Sequence, residues 1–492
     1  MIRPSFEDMA GKKVDCESLM SSARELEKQY DWRGAAGIYA RILSASAEDD
    51  PFRMGVMQEA HAYALCRAAF QSNTITEFRE MLESSSKCFQ ETTDTLRRSK
   101  AKESRPYVDR CLAMMSNIGF WRSEKGSDKK RHINDARRLA KEAMSAFEDL
   151  GDSRELIVTY NRLWPDSIFC NYFEDNQEGV VQPFLEGVDF GERALRNLSN
   201  EGNEEHLAVT HTLVGLFLSA LSIWYFATSE QRSESRRKAA AHWQTAVNLS
   251  RVHSATTLMS MTQCAANSVP FDMGQDEFFS LLLNTLDEVR HTNDRLMIGS
   301  FNSLLAYHVE WRLSSIDDKE DMYAQSEKAV EYANEANKNY AVLSPPSPIL
   351  SGWDVDPELT VPSWMLFLEN DREKRRSLAE SSLKSRILSM SSELGLPGLT
   401  MMARARRVEA LNVLAATEDS SEKRARLYRE AIEHGRILIE EVNRIQPFLY
   451  MNRGIFLRGY AVSQYGLAML IDDPRKKVTA LAEAVRNRRE SK

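Results

Sequence analysis

None of the short motifs that bring catalytic groups together occurs in the 492-residue chain. There is no Walker loop, no G-x-G-x-x-G turn, no G-x-S-x-G elbow, no H-E-x-x-H helix and no EF-hand loop. These absences remove the common routes to phosphoryl transfer, dinucleotide binding, acyl transfer and zinc or calcium chemistry. No catalytic residue, cofactor or metal site is expected, and the chain reads as a non-enzyme. Its cysteines, Cys16, Cys66, Cys88, Cys111, Cys170 and Cys264, form no C-x-x-C pair, so they read as small buried hydrophobes in a reducing compartment. The opening MIRPSFEDMAGKKVDCESLM holds no apolar run of a secretory signal, and a cytoplasmic location is expected. Glycine and proline are scarce, 21 and 14, which predicts long helices and short turns. No stretch alternates polar and apolar residues between turn signals, which argues against a β-sheet. Neither sign of charge dominates: 64 basic and 72 acidic residues are finely mixed, with a net charge of −8. Such a balance offers no global attraction to nucleic acid or an anionic membrane.

What the chain does contain is repetition. A triplet of small or apolar residues at i, i+4 and i+7 returns about every 50 residues. It reads Ala35/Tyr39/Ile42, Ser85/Phe89/Thr92, Ala136/Ala140/Ala143, Gly187/Gly191/Ala194, Ala239/Trp243/Ala246, Ala329/Ala333/Ala336, Ala431/Gly435/Leu438 and the shorter Ala480/Ala484. Small residues one turn ahead of larger ones let a neighbouring helix approach closely, so the pattern predicts stacked helical hairpins. The expected fold is all-α: a right-handed superhelical array (α-solenoid) of nine or ten antiparallel helix hairpins with a period near 50 residues.

In ESLMSSARELEKQYDWRGAAGIYARILS, Leu19, Ala23 and Leu26 mark one stripe, and Ala35, Tyr39 and Ile42 mark the next after a turn around Tyr30 to Gly34. This unit resembles a tetratricopeptide repeat, with Ala23, Ala35, Tyr39 and Ile42 at its small and aromatic positions and Leu19 in place of the usual Trp. A second match is AMSAFEDLGD, where Ala143, Phe147 and Leu150 close a helix and Gly151-Asp152 supply a stop and a cap. The period exceeds the family's 34, which resembles the longer-helix, TPR-like relatives such as soluble NSF attachment proteins. The resemblance implies a protein-binding scaffold.

Prolines punctuate the chain at Pro51, Pro106, Pro183, Pro270, Pro397, Pro447 and Pro474, near places where one stripe ends and another begins. The exception is SPPSPILSGWDVDPELTVPSW, which holds five of them. A structureless stretch of this length is functional or a linker. It divides the chain into an N-terminal repeat array (1–343), a Pro-rich loop (344–362) and a C-terminal array (363–492). Trp353, Trp364, Ile349 and Leu350 within or beside it predict a loop that packs back onto the groove.

Four segments raise functional questions. LAVTHTLVGLFLSALSIWYFATS, residues 207–229, has no charged side chain and a basic flank, as a membrane span would, but Thr210, His211, Thr212, Ser219 and Ser222 interrupt it. It is read as a buried central helix between repeats. His206 and His211 are five apart and diverge by about 140° on a helix, so they do not share a metal. Asp354, Asp356 and Glu358 are too few for a calcium loop. Basic clusters recur at Arg97–Arg105, Arg372–Arg376, Arg404–Arg407, Lys423–Arg429 and Arg475–Arg489; aligned, the C-terminal ones would form a stripe for nucleic acid.

Aromatic residues bunch in LWPDSIFCNYF. Trp164, Phe169, Tyr172 and Phe173 around Pro165 are read either as a wedge between repeats or, with Trp353, as a candidate partner-binding patch. The expected function is that of a non-catalytic protein-protein interaction scaffold or regulatory or sensory module that binds a peptide or partner domain on its concave face. The alternatives are a nucleic-acid-associated regulator using the C-terminal clusters and, last, an enzyme with a pocket of dispersed residues.

Overall fold

The computed structural model describes residues 16–45, 50–196, 203–224, 228–249, 275–313, 316–344, 365–366, 368–444 and 453–490. Among these there are helices and turns and no strand. The helices are α1 (Cys16–Lys28), α2 (Trp32–Ala45), α3 (Pro51–Ala69), α4 (Ile75–Arg98), α5 (Ser104–Arg122), α6 (Gly126–Asp149), α7 (Ser153–Ser167), α8 (Gln177–Arg196), α9 (Glu204–Trp224) and α10 (Ser229–Leu249). Then follow α11 (Gln275–His291), α12 (Arg295–Leu313), α13 (Lys319–Leu343), α14 (Arg372–Lys384), α15 (Ile387–Glu393), α16 (Pro397–Thr417), α17 (Ser421–Arg444), α18 (Arg453–Met469) and α19 (Pro474–Glu490). A 3₁₀ helix, Ile168–Phe173, follows α7. Trp353 and the loop around it lie outside the described residues, as do Pro270 and Pro447.

The local chemistry explains the breaks. Asp50 caps α3 by accepting from the Phe52 amide, Thr74 caps α4, Asp318 caps α13 and Asp371 caps α14. Pro51 and Pro397 open their helices, where no N–H is needed. Gly151 takes a positive φ of 73° after α6, and the Asp152 carboxylate then accepts from the Glu155 amide to start α7. Pro183 departs from the sequence reading. It sits inside α8, where its carbonyl accepts from the Trp164 indole at 3.2 Å.

Adjacent helices pair as hairpins: α1/α2, α3/α4, α5/α6, α7/α8, α9/α10, α12/α13, α16/α17 and α18/α19 pack closely among the described residues. Each small-residue triplet falls on the second helix of such a pair, and Ala35, Ser85, Ala140, Ala143, Ala239, Ala329 and Ala431 are completely buried. At Gly187 a Cβ would lie 2.4 Å from the Trp164 indole nitrogen, and at Gly191 2.3 Å from Val214. The triplets are therefore where rings and branched side chains of the preceding and following helices close in. The repeat also shows in the polar bonds between hairpins. Arg79–Glu124, Arg193–Glu148, Arg137–Glu186, Thr210–Asn161, Asn412–Gly459 and Ser463–Asn412 span 45, 45, 49, 49, 47 and 51 residues.

The helices differ in character. α4, α6, α8 and α17 are strongly amphipathic, whereas α3, α5, α9 and α16 are weakly so. A helix flanked by its own partner and by the first helices of neighbouring repeats has little solvated surface. Contacts of α3 with α5, α5 with α7 and α7 with α9 show this inner row. The apolar α9 fits the row: Leu213, Val214, Phe217 and Leu221 are buried against its neighbours, and no helix among the described residues is long and apolar enough to cross a membrane.

The array curves until its later repeats lie on its earlier ones. Arg295 N–H donates to the Phe70 carbonyl at 2.8 Å and its guanidinium to Asn73 Oδ1 at 2.6 Å. Gln71 Nε2 bridges the carbonyls of Tyr30 and Thr292, each at 2.7 Å. Tyr30 Oη donates to buried Asp294 at 2.9 Å, and Arg67 joins both. Further along, α13 packs on α4, the 3₁₀ helix packs on α16, and Leu343, Leu396 and Leu399 enter the core of α3–α9. The carbonyl of Leu394 sits so close to Gly126 that any side chain there would strike it.

Candidate binding site on the inner face

Charged residues that lie buried between the inner helices need partners. Arg110 of α5 is the centre of one such network. Its Nε and Nη2 donate to the two carboxylate oxygens of Glu59 on α3, both at 2.6 Å, and its Nη1 to Glu155 (2.7 Å) and Thr159 (3.0 Å) on α7. The guanidinium also lies 4.6 Å from the Tyr107 ring centre. Burial alone would raise the Glu155 pKa, but the charge and hydrogen bond of Arg110, with Arg162 and Arg154, bring it below the ordinary carboxylate value. Three consecutive repeats are thus tied by one bidentate cation.

Arg162 extends the network across the array. Its guanidinium reaches Glu59 at 3.4 Å and covers the Tyr63 ring at 4.1 Å, and its charge acts on Glu27 of α1 and His206 of α9. Residues of α1, α3, α7 and α9 can all face one side chain only if the first helices surround a common inner space. The charge of Glu27 also acts on Glu205 of α9. Desolvation raises the pKa of Glu27 against Arg162, Tyr39 and Arg24. Desolvation raises that of Glu205 too, with Glu27 and Glu25 adding repulsion that Lys28 offsets in part. His206 is pushed down to about 4 by burial and by Arg162 and Arg154.

Two members of the aromatic bunch lie in the core and two at its edge. Trp164 is wholly buried, stacked on Tyr160 and bonded to Pro183, and Phe173 is buried as well. No partner can use them as anchors without opening the core. Phe169 stacks on Phe120 at 5.3 Å, and Tyr172 stacks on Phe169 at 6.2 Å. Both keep part of their surface exposed.

Two of the basic clusters, Arg372–Arg376 and Arg404–Arg407, are largely paired with acids. Arg372 bonds the Thr417 carbonyl and Asp419, Arg376 pairs with Glu380 and Glu418, Arg404 with Glu441, Arg406 with Glu409, and Arg407 with Glu430. His211 Nδ1 meets His242 Nδ1 of α10 at 2.9 Å. No group of three or more metal-ligating side chains occurs among the described residues. Sequence reasoning passed over Glu59, Arg110, Glu155 and Arg162. The available signal was a charged residue bordering an apolar run, as Arg110 does in RPYVDRCLAMM.

No protein-family model matches the chain, and no curated protein matches it. Among solved structures, it is similar to the crystal structure of a Signal Transduction ATPase with Numerous Domains protein with a tetratricopeptide repeat sensor from Pyrococcus horikoshii. The identity is 12%, the match covers 97% of this chain and 72% of that one, and the TM-score is 0.44.

Proposed function

We propose that the chain is a non-catalytic interaction module, TPR-like in character, whose inner face holds a basic segment of a partner protein. The observation that carries this reading is the mutual influence of charged side chains from α1, α3, α5, α7 and α9, with the Glu27 and Glu205 carboxyls both left with raised pKa values. Two carboxyls whose pKa values are raised by desolvation, with repulsion from Glu27 adding to it at Glu205, gain from a lysine or arginine placed between them. The preformed framework of paired Arg110 and Arg162 supplies rigidity, which lowers the ordering cost of binding.

The test is affinity capture from the native host followed by direct binding of the recovered partner. Glu27→Lys with Glu205→Lys is expected to abolish that binding, while Glu327→Lys on exposed α13 surface leaves it intact. Equal binding by both variants would remove the inner face from the function.

A further inference from the structure

The basic cluster on α19 differs from those around Arg372 and Arg404. Arg475, Lys476 and Arg486 of α19, with Arg458 of α18, are exposed, and among the described residues their side chains make no ion pair or hydrogen bond. The same hairpin carries bare apolar surface. Six large apolar side chains are exposed among the described residues, and five of them are here: Val462, Tyr465 and Met469 on α18, and Val478 and Val485 on α19. Val478 is 67% exposed and Tyr465 52%, so no other element covers them.

Helical spacing gathers these side chains. Arg458, Val462, Tyr465 and Met469 stand at i, i+4, i+7 and i+11, within about 60° of one another around α18. Val478 and Val485 lie about 20° apart on α19, and Arg475 and Arg486 form a row about 80° round from them. The seam of the hairpin runs past Gln464, which bonds Glu483 at 3.4 Å and Asn487 at 2.6 Å, and past buried Ala484. Tyr465 is one step beyond Gln464, and Val485 one step beyond Ala484. In an antiparallel pair the same rotational step leads to the same side, so the five apolar side chains make one face. Arg458 lies on that face, and Arg475 and Arg486 lie at its margin.

We infer that this face docks an acidic amphipathic helix of a partner protein. The apolar stripe of that helix covers Val462, Tyr465, Met469, Val478 and Val485, and carboxylates beside the stripe meet Arg458, Arg475 and Arg486. The hairpin supplies few acids of its own to answer these cations. Asp473 caps α19 by accepting from the Arg475 and Lys476 amides, and Glu483 holds Gln464, which leaves Asp472 at the turn. Charge also argues against a second copy of this chain as the occupant. Each copy carries a net charge of −8, and self-pairing would set the same arginines face to face. The face shares no residue with Glu27 and Glu205 and selects the opposite charge, so failure of the inner-face reading leaves it standing, and the converse.

The experiment titrates the full chain, by fluorescence anisotropy at low salt, into a labelled helical peptide of about 18 residues with leucines on one stripe and glutamates beside it. Saturable binding with a Kd at or below about 100 µM is expected, at least about tenfold tighter than for the same peptide with lysine at each glutamate. Val478→Ser with Val485→Ser, and separately Arg475→Glu with Arg486→Glu, are each expected to weaken binding at least about fivefold. All four side chains are exposed, so both variants should keep unfolding temperatures near wild type. Absence of saturable binding, equal binding of the lysine peptide, or unchanged affinity in both variants overturns the docking face. A wild-type dimer in sedimentation that Val478→Ser with Val485→Ser dissociates assigns the face to a second copy and overturns it too. Cosedimentation with phosphatidylserine vesicles, abolished by that same variant, assigns it to a membrane surface with the same consequence.

Discussion

Individual side chains in this protein are held by burial working against charge. Arg110 shows the balance, because its desolvation is offset only while Glu59 and Glu155 both face it. Arg110→Leu strands a buried carboxylate on Glu59 and is expected to lower unfolding free energy by about 3–5 kcal/mol, measured by urea denaturation. The double change Arg110→Leu with Glu59→Leu is expected to recover a large part of it. A second residue-scale expectation concerns pH. Burial and neighbouring charge push His206 and His211 down to about 4, so both stay neutral in the folded chain, while the unfolded chain protonates them near 6.5. Below pH 6.5 the unfolded state binds more protons, so the stability they contribute is complete above 6.5 and is lost as pH falls toward 4. Urea midpoints between pH 7.5 and 4.5 check this, and His206→Asn with His211→Asn should flatten the curve.

Among elements, the second helix of each hairpin is set by its small residues and the first by its enclosure. Tyr160 Oη donates to the Gly187 carbonyl at 2.7 Å, an approach that depends on the missing side chains at Gly187 and Gly191. Gly191→Ala is expected to cost about 1–3 kcal/mol through overpacking against Val214 and Tyr160, despite the gain in helix propensity. Gly37, whose absent Cβ meets nothing within 4 Å, provides the control. There the same exchange should stabilise by about 0.5–1 kcal/mol, because only propensity changes. Thermal unfolding of the two variants should therefore move in opposite directions.

For the molecule as a whole, the decisive feature is the clasp where the turns before α2, before α4 and before α12 meet. Tyr30 and Asn293 both adopt positive φ, 62° and 54°, and both precede an aspartate that caps the next helix: Asp31 accepts from Gly34, Asp294 from Met297. The two turns repeat one conformation and are pinned together by Gln71 and Arg67. Tyr30→Phe removes a hydroxyl bonded to Asp294 and Arg67, and is expected to cost about 1–2 kcal/mol. Its signature is local: hydrogen exchange should accelerate at 292–297 and 70–74, while α5–α8 keep wild-type protection. Uniform acceleration along the chain would mean that the clasp does not separate from global unfolding.

The sequence by itself determined the helical class, the hairpin spacing and most helix ends, because these follow from short-range rules. A small-residue triplet is legible at i, i+4 and i+7, a Gly151-Asp152 break is legible as a stop and a cap, and the burial of both needs only the next helix. The aromatic bunch at Trp164 was legible as a cluster, but its direction was not, since a ring that fills a core and one that faces a groove have the same spacing. Tertiary structure alone decided that Trp164 points inward and that Arg372, Arg376, Arg404 and Arg407 meet acids on neighbouring elements. It also decided that Asp294 and Arg67, 227 residues apart, share one hydrogen bond. The curvature that joins them accumulates from small rotations at every hairpin, a sum that no local pattern records.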